Sequence, residues 1–242
     1  MTSNISIMTV DLEPDLRSKK SKSIELALPR LLNFFDDHTI KATFFTVTSL
    51  LEKYESEIKD IAKKHEIASH SHTHAWLNEQ NAEFEIGHSK KILKDYGLTC
   101  EGFRAPKFIT TKNHFDLLKR HGYNYDSSFV TVLPSTFKVK EIKGIKSISF
   151  PALPSGLTYR KLLHPVSAVF PRPKLFYLHP WEFLEKNELP PATSVTELLL
   201  RRNTGNSAWK IYTKFVEEEK KEETERCRWI GCSEFLKENR GL

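Results

Sequence analysis

The sequence is poor in cysteine, in long apolar runs and in biased segments, and each shortage narrows the answer. Three cysteines among 242 residues, Cys100, Cys227 and Cys232, are too few and odd in number for a disulfide framework. Cys227 and Cys232 also have no Cys or His partners at zinc-site spacing, so reduced thiols are expected. No stretch reaches the roughly 20 apolar residues of a membrane-spanning helix. The first residues run straight into the apolar stretch Ile5–Val10, with no basic segment or small-residue cleavage site before it. A cytoplasmic protein is therefore expected. Nine glycines and twelve prolines are scattered, which excludes collagen-like and low-complexity classes, and no repeat of fixed period is present.

The charge is modestly positive: 37 Lys and Arg against 31 Asp and Glu give a formal net charge of +6. The excess is dispersed, and the run Glu217–Glu223 partly cancels itself as a solvated helix face. No nucleic-acid-binding motif accompanies it, so nucleic acid is not an expected partner. Arg17, Lys19, Lys20 and Lys22 follow the first strand and could meet a diphosphate or an anionic membrane surface. The segment Tyr159–Phe170 is apolar with basic residues at one end; it reads as a core helix, with a surface helix brushing a membrane or a lipid tail as the competing reading.

Apolar spacing sets out the fold. Ile5–Val10, Lys41–Val47 and Glu66–Ser69 read as buried strands, separated by segments of helical period over Ile24–Phe35 and Leu50–His65. The alternation continues through helices at Asn81–Tyr96 and Lys112–His121, the second stopped by Gly122. Further strands follow at Gly102–Phe103, Lys146–Phe150 and Leu175–Leu178. Such alternation implies an α/β fold with a mostly parallel sheet, and this length favours a closed or nearly closed barrel. A single domain over residues 1–242 is expected, with a C-terminal helical extension from about residue 190 (Val195–Arg202 and Ala208–Glu223) and a last apolar segment at Trp229–Gly231. In such barrels the chemistry sits at the C-terminal ends of the strands, and that is where the polar clusters of this chain fall.

The first cluster is His70-Ser71-His72-Thr73-His74, with His70 and His74 at i and i+4. On one helical turn they would share a face and reach one metal, with His72 pointing elsewhere. Asp11 and Glu13, at i and i+2 on a strand end, would project to one side. One carboxylate can complete a His₂–carboxylate metal site, while the other takes a proton from a water. Arg104, in Phe103-Arg104-Ala105-Pro106-Lys107-Phe108, can pair with a carboxylate and orient it. Tyr125-Asp126-Ser127-Ser128 and Leu178-His179-Pro180-Trp181-Glu182 complete the set, and a His just past a buried strand can protonate a leaving amine.

Taken in order, these segments resemble the motifs of the polysaccharide deacetylase (NodB-homology) family, the carbohydrate esterases of family four. The resemblance covers roughly residues 5–183 and rests on Lys41–Phe45, Glu66–His74, Arg104–Pro106 and Leu178–Pro180 beside the acidic cluster. It implies a distorted (β/α) barrel of about seven strands and hydrolysis of an N-acetyl amide on a sugar. Asp11 matches the catalytic base, Arg104 the residue that orients it, His179 the general acid and Asp126 the acid that partners that histidine. His70 and His74 match metal ligands. Leu12 stands where the common motif has its second, metal-binding aspartate, so Glu13 is the expected third ligand, with Asp15 the fallback. Pro106, Phe108 and Trp181, on the same motifs, are expected to bind substrate. One divalent metal is implied: zinc first, then cobalt, nickel or manganese. The implied partner is an N-acetylated sugar, free or lipid-linked. Two competing readings are a metal-free C–N hydrolase of a small ureide such as allantoin, and a sugar-binding protein that has lost catalysis.

Overall fold

The computed structural model describes residues 4–16, 18, 21–131, 137–151, 173–221 and 227–239. Arg17, Lys19, Lys20 and Tyr159–Phe170, the segments expected to meet a phosphate or a membrane, lie outside the described residues. No helix among the described residues is long and apolar enough to cross a membrane.

Among the described residues, nine strands form one sheet: β1 (Ile5–Leu12), β2 (Ala42–Thr46), β3 (Glu66–Ser69), β4 (Gly102–Phe103), β5 (Tyr125–Thr131), β6 (Lys138–Ile142), β7 (Ile145–Pro151), β8 (Lys174–Leu178) and β9 (Arg228–Ile230). The order along the sheet is β6-β7-β5-β4-β3-β2-β1-β8, with β9 paired to the start of β1. Seven strands of that path, from β8 to β7, run parallel, and β6 alone is antiparallel. The expected barrel of about seven strands is therefore present, widened by a hairpin at one edge. The hairpin turns at Lys143-Gly144, both left-handed (φ 53° and 83°), the conformation that matches the twist of its strands.

Helices α1 (Lys22–Leu26), α2 (Leu28–Asp37), α3 (Leu51–Ala62), α4 (Ala82–Asp95) and α5 (His114–Arg120) fill the crossovers between parallel strands. Gly122, with φ 72°, follows the end of α5 as its spacing implied. Strand alternation splits the core into two layers. Met8, Val10, Leu12 and Phe44 face the helices beside Leu31, Phe35 and Ile58, while Ile5, Ile7, Phe45, Ala68, Tyr125, Phe150 and Leu175 fill the interior. The C-terminal part holds α6 (Val195–Leu200), α7 (Asn206–Lys221) and α8 (Cys232–Glu238), and β9 with α8 joins the interior layer rather than extending away from it.

The outer layer contains a titratable group. His65 is buried between the rings of Phe35 and Phe44, and its Nδ1 accepts the Ala42 N–H at 3.3 Å. Burial pushes the His65 pKa down to about 4, only partly opposed by the charge of Asp36. The folded protein thus keeps the ring neutral, whereas the unfolded chain protonates it near pH 6.5. Stability is intact above that pH and falls as the pH drops towards 4. Urea midpoints measured at about pH 7 and about pH 5 should differ, and His65→Gln should remove part of the difference.

Candidate functional site

The polar residues gather at the C-terminal ends of the strands. Thr9, Asp11 and Glu13 follow Ile5 and Ile7 on the inward face of β1, an alternation that carries a strand from apolar floor to polar mouth. Asp11 and Glu13 are both buried.

Glu13, His70 and His74 form the group that could hold a metal: one donor atom from each lies within 4.8 Å of the others. His70 Nε2 is 3.6 Å and His74 Nε2 is 2.6 Å from Glu13 Oε2. The His74 nitrogen, though buried, has no aligned hydrogen bond even to that oxygen. The His70 Nδ1–H donates to the Arg104 carbonyl at 2.8 Å, which leaves its Nε2 lone pair turned to the cluster. Two imidazole nitrogens and one carboxylate are the donor set of a His₂–carboxylate site with a position left for water, so the residues fit a divalent ion. Burial alone would raise the Glu13 pKa, but the charge of His179 and the contacts from His70 and His74 hold it well below the usual carboxylate range.

Asp15 is not part of this group. Its carboxylate accepts the Ser23 N–H at 3.2 Å and so holds the first turn of α1. The helical turn expected over His70–His74 is absent too. Ser71 and His74 adopt left-handed backbone conformations (φ 68° and 65°), and the chain forms an irregular loop after β3. Side chains close it: Glu85 of α4 accepts the N–H groups of His72 and Thr73 and the Thr73 hydroxyl, while Ser71 Oγ accepts the His74 N–H. This local competition outweighs helix formation, yet still places the His70 and His74 rings 5.0 Å apart. His72 points away, its Nδ1 3.0 Å from Thr48 Oγ1.

Arg104 is fully buried inside the barrel. It donates to Asp11 Oδ1 at 2.5 Å, to Thr9 Oγ1 at 3.0 Å, and to Ser127 O and Oγ at 3.2 and 3.0 Å. Its guanidinium lies 4.0 Å from the centre of the Phe45 ring. The second Asp11 oxygen faces His70 Nε2 at 4.0 Å and His179 Nε2 at 3.9 Å, so one oxygen is held and the other looks into the site.

The expected Asp126–His179 pair does not form. Tyr125 and Ser127 take the inward positions of β5, which turns Asp126 outward, where His114 Nε2 of α5 meets it at 2.9 Å and Ser128 Oγ donates at 2.6 Å. The Ser128 hydroxyl in turn accepts the Ala105 N–H at 2.8 Å, so Asp126 supports the turn after Arg104. Glu182 takes the expected place: its Oε1 meets His179 Nδ1 at 2.9 Å and accepts the His179 N–H at 3.0 Å. The sequence signal for it was a capping box, Glu three residues after His179 with Pro180 opening the 3₁₀ turn Pro180–Phe183. Burial pushes the His179 pKa down, but Glu13, Glu182 and Asp11 outweigh it and raise it to about 9.

Trp181 is 4% exposed, and its indole N–H donates to Glu13 Oε1 at 3.2 Å. It holds the cluster carboxylate instead of facing substrate, because the capped turn folds its ring back alongside His179. Pro106 is buried as well; of the three expected substrate contacts, Phe108 alone is partly exposed, with its ring against Phe150 and Tyr177. Lys107 and Phe108 both have positive φ (54° and 61°), a strained backbone beside the site.

Known proteins resemble this chain in sequence and in fold. The peptidoglycan deacetylase of Helicobacter pylori is 28% identical over 122 residues, 48% of this chain and 42% of that protein, so the chain spans less than half of that relative's length. A Mycobacterium smegmatis protein named as a polysaccharide deacetylase superposes with a TM-score of 0.68 at 15% identity, covering 100% of this chain and 92% of the other. Puue allantoinase superposes with a TM-score of 0.69 at 14% identity and the same coverage, a likeness of fold. The family profile described as polysaccharide deacetylase matches residues 5–125, half of the sequence. The chain belongs to the polysaccharide deacetylase family.

Proposed function

We infer that this protein is a metal-dependent N-deacetylase that hydrolyses the acetamide of an amino sugar. The observation that carries the reading is the joining of the Glu13–His70–His74 donor group to an Asp11 oxygen and His179 Nε2 within 4 Å of it. A divalent ion bound there, zinc first among the candidates, would polarise the acetyl carbonyl and make an attacking water more acidic. Asp11, fixed by Arg104, takes a proton from that water through its free oxygen. His179, held through its Nδ1 by Glu182, gives its Nε2 proton to the departing amine. Acetate and the free amino sugar leave.

The stretch from about residue 190 belongs to the same unit on this reading, because β9 and α8 complete the barrel interior. A cytoplasmic setting is supported by the three cysteines, all buried and none in a disulfide.

The decisive experiment measures bound metal alongside acetate release from N-acetyl sugars offered free, nucleotide-linked and lipid-linked. Chelation should reduce turnover to background and zinc should restore it. His179→Ala should lower turnover by about 10²-fold or more while leaving metal content unchanged. Acetate release that persists after the metal is stripped overturns this reading in favour of a metal-free C–N hydrolase. A protein that binds sugar and metal but releases nothing is the non-catalytic alternative.

A further inference from the structure

Leu12, the residue after Asp11, packs in the outer core layer, so the carboxylate of the donor group comes one position later, from Glu13. A glutamate has one more rotatable bond than an aspartate, and fixing its carboxylate takes an outside partner. The two Glu13 oxygens face different neighbours. Oε2 lies 2.6 Å from His74 Nε2 and 3.6 Å from His70 Nε2. Oε1 accepts the Trp181 indole N–H at 3.2 Å and has His179 Nε2 3.8 Å away. The indole is itself held in place. It packs in a buried cluster with Ala27, Leu184 and Leu189, and Pro180 with the Glu182 capping box sets its turn. One oxygen is thus turned to the two histidines while a fixed donor occupies the other.

We propose that Trp181 is a positioning residue that sets the ion preference of the site: by occupying Oε1 it makes Glu13 a one-oxygen ligand, and so favours zinc over manganese and calcium. This rests on the metal-dependent reading of the site and adds the residue that selects the ion. A carboxylate whose second oxygen is held by an outer donor binds through the first alone, which suits the low ligand number of zinc. With both oxygens free a glutamate can chelate, as carboxylates do around calcium, and oxygen-seeking ions such as manganese gain from the extra ligand. Removing the indole N–H therefore takes the fixed geometry from zinc and gives manganese a second oxygen in return.

The test measures zinc and manganese affinities on the full chain stripped of metal, without substrate. Zinc is read by competition with a chromophoric chelator, and manganese by the electron-spin-resonance signal of the free ion. Two substitutions remove the N–H: Trp181→Phe, and replacement of Trp181 by benzothienylalanine, which keeps the bicyclic shape. Each should weaken zinc by about 10- to 100-fold and manganese by less than about three-fold, so that the preference for zinc falls. A role in packing alone would weaken both ions alike and would spare the benzothienylalanine protein. A zinc-to-manganese preference that stays at the wild-type value in the benzothienylalanine protein, whether both affinities hold or both fall together, overturns the proposal and leaves the metal-dependent reading standing. Wild-type protein that takes up neither ion overturns both.

Discussion

Exchanging Asp11 for asparagine should lower acetate release by about 10³-fold with bound metal unchanged, since general-base assistance is lost while the side chain keeps its shape. The two oxygens of Asp11 have separate tasks: Oδ1 receives the Arg104 guanidinium and Oδ2 faces the site. An amide oxygen can still accept from Arg104, but the neutral amide cannot take a proton. The exchange also leaves a buried guanidinium without its counter-charge, so stability should fall by several kcal/mol. Turnover corrected for folded fraction separates the two effects. Retention of more than about a tenth of wild-type turnover in the folded, metal-loaded variant removes Asp11 from the role of base.

Deleting residues 227–242 should leave no cooperatively folded protein. That stretch contributes Trp229, Ile230, Phe235 and Leu236 to the core, each 8% exposed or less. At about 1.5–3 kcal/mol for each fully buried side chain, their loss approaches the 5–15 kcal/mol that holds a typical domain together. Polar contacts go with them: β9 pairs with Ile5–Ile7, Thr43 Oγ1 accepts the Cys232 N–H, and Glu66 accepts the Ser233 N–H. Glu66 is half-buried, and burial already raises its pKa despite those bonds. A broad or absent melting transition in the shortened chain is the expected result. A sharp transition near the wild-type temperature would make the tail dispensable.

Much of this was legible beforehand, for identifiable reasons. Parallel strands buried on both faces read as short, largely apolar runs, which is why β1, β2 and β8 stood out. Residues at i and i+2 on such strands must share a face, so Asp11 and Glu13 could be placed together without coordinates. The errors arose where side chains, not period, decide the backbone. Glu85 lies 11 residues beyond His74 and closes the loop that was expected to be helical. The family resemblance implied Asp126 as the partner of His179, but its parity on β5 turns it to His114 instead. The pairing of β9 with β1 joins residues more than 220 positions apart, a contact no local pattern announces.

β8 lies at one edge of the sheet and β7 near the other, and among the described residues no ladder joins them; their rings do, Phe150 against Tyr177 at 5.8 Å with Phe108 against both. A circumference closed by backbone pairing is quantised, because strand number and stagger fix it. One closed by stacked rings is continuous: the faces can slide by fractions of an ångström without breaking a hydrogen bond. Phe108 belongs to the Arg104 loop and Tyr177 lies two residues before His179, so the seam works as an expansion joint. Changing the size of those three rings should shift the Arg104 loop against His179 in small steps, while the β1–β8 ladder keeps Asp11 and His179 in register.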